Sequence, residues 1–459
     1  MLRRVSAAPR LYVDDALCDE AEAAALAQAL ADVALEPTDH GAWADLPPRP
    51  ELAGVEARVL AALGAPAEAL VVRRLRRYAR GQGHPLHEDR YGLGGLTLYA
   101  TAMLTLQAAE AGGETRFPDA EPQPVHVRSV VGRLTLWFGF TPEGQADPTS
   151  RHDAAPVEAG EKVTLTFFVY APLHGAHMEG PAAIRRFAFV DDGVPEPTRR
   201  LLREAALDRG LDWRPIDAAR YDLHPCRRLR PGDLLYRAAV SGRAGLLTQH
   251  LWTEGVRSFY AVSPYHLVLN PTWALERAGL PVPLTLPAIS ADRARLRGWV
   301  DRLGGLPLVV KFNGGEGGVG TLRVDSLAAL FSLIDHARSQ GLSPALIQYL
   351  PDTTHWRVIV VGDRAVASYP NPVPPDDFRS RAPQDPSAYH DPPPPSLAAL
   401  AVAATHTLGA RFGGVDLLHR ASDDRAWILE VNTPCYFAHA QEEGGVDVAG
   451  AMLDALLAG

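Results

Sequence analysis

His87-Glu-Asp89 sets two potential metal ligands two residues apart, and His152 follows 63 residues later within Ser150-Arg-His-Asp-Ala-Ala-Pro156. In an extended strand, residues i and i+2 share a face. An imidazole and a carboxylate could therefore close on one ion, with the second imidazole arriving from elsewhere in the chain. Two imidazoles and one carboxylate on one face of an octahedral ion leave the opposite face open, the arrangement of non-heme Fe(II) oxygen chemistry. Among 16 histidines, a lone His-x-Asp is more often structural or surface than metal-binding.

Lysine usage marks a second set of residues. Only Lys162 and Lys311 are lysine among 45 basic residues. An ammonium on a flexible stem reaches a carboxylate or phosphate as a point charge, where a guanidinium fork is wider. Lys162 closes Pro156-Val-Glu-Ala-Gly-Glu-Lys162, ten residues after His152. Lys311 ends the apolar run Pro307-Leu-Val-Val-Lys311 and opens Asn313-Gly-Gly-Glu-Gly-Gly-Val-Gly320. Glycines let main-chain amides close on phosphate oxygens without side-chain clash, although no Gly-Lys-Ser/Thr follows, so this is not a P-loop. Far downstream, Gly413-Gly-Val-Asp416 and Leu429-Glu430-Val-Asn432 supply three oxygen ligands suited to Mg²⁺, with Asp416 expected at a strand end and Glu430 and Asn432 on one strand face.

The elements needed to hold these residues divide the chain into two halves. An alanine-rich helix is expected from Cys18 to Leu30, followed after about residue 70 by strand-like runs at Leu96–Tyr99, Ala102–Leu106, Arg133–Phe138 and Val163–Tyr170. Strands without intervening helices predict a sandwich or barrel. The turn-rich run His174–Pro181 reads as a linker. Beyond it the pattern alternates: strands at Arg186–Val190, Asp233–Tyr236, Leu308–Phe312, Ala345–Tyr349 and Arg357–Val361, with helices at Pro197–Arg209, Ser326–Ser339 and Ser396–Leu408. Alternation of this kind is α/β construction. Between Tyr369 and Ser396 lie 10 prolines without apolar periodicity, predicting a long loop of the lid or binding type.

Composition narrows the function classes. A net charge of −9 argues against a nucleic-acid footprint or an anionic membrane surface. Three scattered cysteines imply no disulfide framework. The opening Met-Leu-Arg-Arg-Val-Ser lacks a secretory apolar stretch, and no run is long enough to span a membrane. The expectation is a cytoplasmic protein.

The runs Arg77-Tyr78-Ala-Arg-Gly81 to Asp89, Ala111-Gly-Gly-Glu-Thr-Arg-Phe-Pro118, Gly132–Trp137 and His152 to Lys162 stand in the same order as in the prolyl 4-hydroxylase-like 2-oxoglutarate dioxygenases, which residues 10–172 resemble. The resemblance implies a double-stranded β-helix (jelly-roll) with flanking helices. It implies Fe(II) on His87, Asp89 and His152, with 2-oxoglutarate held by Lys162. The family commonly has a tyrosine where this chain has Thr105, so Thr105, Tyr78 or Tyr99 would supply that hydroxyl. Retention of Asp89 implies hydroxylation and not halogenation.

Residues 263–440 resemble the ATP-grasp superfamily, most nearly its RimK-like glutamate ligases. The match runs through Gly279-Leu-Pro-Val-Pro-Leu-Thr285, Lys311 and its glycine loop, Ile347-Gln-Tyr-Leu350, Trp356-Arg-Val-Ile-Val-Val-Gly362, Phe378-Arg-Ser-Arg381 and the Asp416/Glu430/Asn432 set. It implies ATP contacts from Lys311, Gly315, Gly317, Gly318, Gln348 and Leu350, and Mg²⁺ on Asp416, Glu430 and Asn432. Arg357 and Arg379 would stabilise the phosphoryl and acyl-phosphate charge. Departures are Tyr265-His266 where another lysine is common, Gln348 for the acidic hinge residue, and Arg381 for asparagine.

The expected organisation is a dioxygenase domain over 1–177, a linker over 178–185, and an ATP-grasp ligase domain over 186–459 with subdomains 186–262 and 263–459. The expected function is hydroxylation plus carboxylate–amine ligation of an amino acid, small peptide or ribosomally made precursor peptide. The alternative is a regulatory module that binds nucleotide or 2-oxoglutarate with one half silent.

Overall fold

The structure is a computed structural model describing residues 2–65, 69–89, 92–141, 145–171, 184–221, 229–260, 271–286, 290–312, 318–390 and 393–459. The chain divides into two compact units. The first comprises Met1–Phe189, Ala206–Ile216 and Arg220–Asp233, and the second holds Val190–Ala205, Asp217–Ala219 and Leu234–Gly459. The expected linker at His174–Pro181 lies outside the described residues, as does most of 178–185.

The first unit opens with β1 (Arg3–Ser6), β2 (Leu11–Asp14), α1 (Glu20–Ala29), β3 (Glu36–Thr38), β4 (Gly41–Leu46) and α2 (Pro50–Leu63). Helix α1 begins two residues later than the sequence implied, because Asp19 acts as N-cap and accepts from the Glu22 amide. Pro50 starts α2 and left-handed Gly64 ends it. Then come β5 (Leu70–Tyr78), β6 (His84–His87), β7 (Gly92–Leu93), β8 (Leu96–Gln107), β9 (Ala111–Gly112), β10 (Thr115–Phe117), β11 (Val125–Val127), β12 (Leu134–Trp137), β13 (His152–Ala154), β14 (Val157–Ala159) and β15 (Lys162–Ala171). The two runs expected at Leu96–Tyr99 and Ala102–Leu106 are one strand, β8, since Ala100 and Thr101 continue the ladder to β15.

The large sheet has the order β1-β2-β12-β8-β15-β5-β4-β3, with β7 on β8, and a second sheet runs β11-β10-β13-β6. Strand β15 is buried along its whole length, so its alternation feeds two interiors. Val163, Leu165, Phe167 and Val169 join Leu104 and Leu136 in a core that includes Leu26, Leu52, Val55 and Val59 of α1 and α2. Lys162, Thr164, Thr166 and Phe168 face the other way, into a cavity shared with the second sheet.

Buried polar contacts tie β17 (Asp212–Asp217) into the first unit. Tyr12 donates to Asp212 at 3.3 Å, and Arg214 donates to the same carboxylate at 2.7 Å. The expected boundary near residue 177 puts these residues in the second half instead.

The second unit carries β18 (Leu234–Arg237), α4 (Gly242–Leu251), β19 (Arg257–Ser258) and α5 (Pro271–Arg277); β16 (Arg186–Asp191) and α3 (Glu196–Asp208) straddle the division. It continues with β20 (Thr285–Leu286), α6 (Arg293–Arg302), β21 (Leu308–Lys311), β22 (Thr321–Val324), α7 (Leu327–Ser339) and β23 (Ala345–Gln348). The last elements are β24 (Thr354–Val361), β25 (Arg364–Asn371), α8 (Pro395–Thr407), β26 (Phe412–Arg420), β27 (Arg425–Asn432), α9 (Ala438–Glu442) and α10 (Val448–Ala458). A sheet β20-β23-β21-β22 shares its core with α6 and α7, and a sheet β25-β24-β26-β27 shares its core with α5 and α8. No helix among the described residues is long and apolar enough to cross a membrane.

Candidate functional site

The cavity in the first unit is assembled by strand register. Lys162 pairs with Tyr78, Thr164 with Arg76 and Thr105, Thr166 with Met103, and Phe168 with Thr101, which in turn pairs with Trp137. On the second sheet His152 pairs directly with His87. All of these except Thr105 line the cavity, together with His84, Asp89 and Thr115.

The ligand atoms of His87, Asp89 and His152 lie within 4.8 Å of one another. His87 Nε2 is 3.5 Å from one Asp89 oxygen, and His152 Nε2 is 3.6 Å from the other. Each ring turns its Nδ1 to a main-chain carbonyl: His87 to Pro85 at 2.8 Å, and His152 to Ser150 at 2.9 Å. A carbonyl only accepts, so each Nδ1 donates a proton there, and Nε2 is the ring atom each histidine turns toward Asp89. Strand β6 ends at His87, so Asp89 does not share a strand face with it as the spacing implied. Thr101 instead holds Asp89 in place, donating to it at 2.8 Å. Burial alone would raise the Asp89 carboxyl, but His152, His87 and Thr101 outweigh it and hold the pKa at about 2. Burial lowers the His152 imidazole, against the opposing pull of Asp89.

Lys162 is 1% exposed. Its Nζ donates to the Gly113 carbonyl at 2.7 Å, and no carboxylate pairs with it among the described residues. Gly113 is left-handed (φ 74°), and a Cβ there would meet the lysine Cδ at 3.4 Å. Burial brings the Lys162 pKa down to about 8, against the opposing pull of Glu114. Two further cavity groups, Thr164 Oγ1 and Trp137 Nε1, are buried with no hydrogen-bond partner among the described residues.

Three hydroxyl candidates separate here. Tyr78 lines the cavity and its hydroxyl accepts from Arg76 at 3.2 Å. Thr105 pairs with Thr164 and is buried there without lining the cavity. Tyr99 packs edge-on to Phe138 in the helix-side core. Sequence reasoning missed Arg76, Thr101, Trp137, Thr164, Thr166 and Phe168. Alternation from Lys162 would have found the three on β15.

In the second unit, cross-strand register sets Tyr369, Arg357, Asp416 and Glu430 in one row across β25, β24, β26 and β27. Asp416 stands mid-strand, not at a strand end, because β26 continues to Arg420. Arg357 grips it in two bonds of 2.6 and 2.9 Å, and Asn432 donates to it at 3.1 Å. Burial raises the Asp416 carboxyl in spite of Arg357. Lys311 reaches Glu430 at 3.3 Å. Gly315 and Gly317 lie outside the described residues.

The carbonyl of Gly318 accepts from Arg379 at 3.2 Å. Arg379 is itself held by Asp377, whose carboxylate takes its Nη2 at 2.8 Å and its amide at 3.1 Å. The expected loop is shorter than Tyr369–Ser396: Tyr369–Asn371 complete β25, Pro395 and Ser396 begin α8, and Pro386–His390 form a 3₁₀ turn. Gln348 and Leu350 line a separate cavity of about 370 Å³ with Gly304, Trp427, Arg420 and Arg425. Lys311 and the three oxygen ligands do not line it.

Residues 272–456 match the RimK-like ATP-grasp domain. A probable alpha-L-glutamate ligase of Citrobacter koseri is 29% identical over 284 residues, covering 57% of this chain and 92% of that protein. Among solved structures, the ATP-grasp ligase PsnB complexed with minimal precursor, Mg and ADP has a TM-score of 0.46 at 19% identity, over 59% of this chain and 96% of that one. The viral collagen prolyl hydroxylase of Paramecium bursaria Chlorella virus-1, in its 2OG complex, has a TM-score of 0.31 at 19% identity, over 35% of this chain and 96% of that one. The C-terminal region thus carries a RimK-like ATP-grasp domain.

Proposed function

We propose that this chain is a bifunctional enzyme: a 2-oxoglutarate-dependent hydroxylase in its first half and an ATP-dependent carboxylate–amine ligase in its second. Both halves would act on an amino acid, a small peptide or a ribosomally made precursor peptide. The observation that carries the first half is one cavity lined by His87, Asp89, His152 and Lys162 together. The strand neighbours β5-β15-β8-β12 and β6-β13-β10-β11 support a double-stranded β-helix around it.

The residues suit the implied groups. Two imidazoles that turn Nε2 toward one buried carboxylate form a facial donor set suited to Fe(II). A buried ammonium held only by a neutral carbonyl, and a Thr164 hydroxyl with no partner among the described residues, suit the distal carboxylate of 2-oxoglutarate. Bound Fe(II) would supply the oxygen chemistry that converts 2-oxoglutarate to succinate and carbon dioxide while hydroxylating the substrate. Around it, Thr101 fixes Asp89, the Pro85 and Ser150 carbonyls fix the ring tautomers, and Phe117 and Trp137 wall His152 with apolar rings at 5.4 and 4.8 Å. Exchange of the Gly113 carbonyl for a substrate carboxylate would restore full charge to Lys162.

For the second half, the match to the RimK-like ATP-grasp domain supports ligation, and the glutamate ligase relative supports an amino-acid co-substrate. Mg²⁺ held by Asp416, Glu430 and Asn432 would offset phosphate charge and free Arg357 and Lys311 from their carboxylate partners. Arg379, carried to the glycine loop by the proline-rich segment, would meet the transferred phosphoryl group.

The test is to supply purified protein with Fe(II), 2-oxoglutarate, MgATP and mixtures of amino acids or peptides, then read products by mass spectrometry. Succinate and ADP with phosphate are expected. AMP with pyrophosphate would sink the ligase assignment, and the absence of succinate with every substrate class would sink the oxygenase one.

A further inference from the structure

Strand β12 obeys the same alternation as β15. Leu134 and Leu136 belong to the helix-side core, while Trp137 turns into the cavity. Trp137 is 3% exposed, and its Nε1 is buried with no hydrogen-bond partner among the described residues. An indole nitrogen is a donor only, so nothing but an acceptor can satisfy it. Its packed neighbours Leu11, Val13 and Phe117 are apolar, Phe117 lying edge-on at 5.7 Å, and the His152 ring stands at 4.8 Å with its Nδ1 already committed to Ser150. Phenylalanine would give the same apolar packing without burying an unmet N–H.

The register says which end of the cavity this donor serves. Trp137 pairs with Thr101, the residue bonded to Asp89, and Thr101 pairs with Phe168. Lys162 and Thr164 stand at the other end of β15. A charged cation therefore serves one end of a ligand, and a neutral, directional N–H serves the end beside the histidines and Asp89.

We infer that Trp137 is a ligand-positioning residue whose indole N–H donates to the 2-oxo carbonyl oxygen of a 2-oxo acid bound in this cavity. The inference rests on the oxygenase reading and adds to it a contact for the ligand's reactive end. A 2-oxo acid presents adjacent carbonyl and carboxylate oxygens there, whereas a simple dicarboxylate such as succinate lacks the carbonyl.

The test uses full-length protein loaded with Zn(II), which is diamagnetic and does not turn over. With eight tryptophans labelled at the indole nitrogen, the Trp137 cross-peak is identified by its absence in Trp137→Phe, and independently by its broadening when Co(II) replaces Zn(II). Titration with 2-oxoglutarate should move that proton downfield, and succinate should leave it in place. By calorimetry, Trp137→Phe should weaken 2-oxoglutarate about tenfold, the scale of one lost hydrogen bond, and leave succinate within about twofold. Heat of 2-oxoglutarate binding without a Trp137 shift would overturn the inference while leaving the oxygenase reading intact. Equal weakening of both ligands, or a shift only with a peptide substrate, would also overturn it. No 2-oxoglutarate binding to the native Zn(II) protein would overturn the oxygenase reading itself. The native titration stands even if the variant does not fold, because the Co(II) assignment does not need it.

Discussion

Lys162 and Lys311 occupy opposite extremes of environment. Lys162 is sealed against solvent, donates to a neutral carbonyl, and has lost part of its basicity to burial. Lys311 is 42% exposed on its side chain and lies against Glu430, itself 49% exposed. The same division runs through the two sites. In the first, donors and acceptors are fixed by sheet register and several remain unmatched. In the second, opposite charges neutralise one another: Arg357 with Asp416, Lys311 with Glu430, Arg379 with Asp377. A buried unmatched group stores a requirement for a ligand, whereas an exchanged ion pair offers its parts only when a competing charge arrives.

The largest effect should come from breaking the preformed site. His152→Ala should abolish succinate formation and leave Co(II) affinity, followed by calorimetry, at least ~100-fold lower, since two ligands hold such an ion poorly. Undiminished turnover would remove His152 from the site. The second site should be as sensitive in rate but not in assembly. Glu430→Gln should lower ADP formation by orders of magnitude by removing one magnesium-ligand charge. Arg379→Ala should cripple ligation with 2-oxoglutarate turnover unchanged. Equal loss of both activities would count against the proline-rich segment serving the ligase alone.

A pair of lysine variants sharpens the contrast. Lys162→Met should raise the melting temperature of the ligand-free protein, because an apolar side chain replaces a buried ammonium, while eliminating 2-oxoglutarate binding. Lys311→Met should alter stability by less than about 1 kcal/mol, the usual scale of an exposed ion pair, and weaken nucleotide binding instead. Similar melting temperatures for both variants would erase the distinction.

The smallest effect is in pH. The Lys162 pKa stands at about 8 in the fold against 10.5 for the free side chain. Between those values the unfolded chain binds the extra proton, so ligand-free stability should rise with pH across that window. Affinity for 2-oxoglutarate should run the other way, falling as pH climbs above about 8 and the ammonium is lost. Denaturation and calorimetric titrations from pH 7 to 10 would show both trends, and Lys162→Met should flatten them.

The parts of each site carried by unusual residue types were legible in the sequence: the His-x-Asp pair, the two lysines, and the Gly-Val-Asp and Glu-Val-Asn runs. Much of the strand content was legible as well, since Val163–Tyr170 and Arg357–Val361 are apolar runs with clear ends. What stayed hidden depends on which strands become neighbours. Thr101 reaches Asp89, Trp137 stands beside Thr101, and Arg357 meets Asp416 only because particular strands pair in a particular register. Thr105 was expected only from the resemblance, and it is Thr101, four residues earlier on the same strand, that lines the cavity. Asp89 falling outside its strand has the same origin: a tertiary hydrogen bond does what local geometry was expected to do.

Strand β15 also constrains how this molecule could be re-engineered. Because its odd-numbered residues belong to one interior and its even-numbered residues to another, inserting or deleting a single residue between Lys162 and Tyr170 would exchange the two sets wholesale. Polar threonines would be driven among the leucines of the helical layer, and phenylalanine and leucine would be driven into the cavity. Length changes are therefore closed to any redesign of this strand. Substitutions at 164, 166 and 168 remain open, and they would resize the chamber for a longer or shorter acid while the helical layer behind it never registers the change.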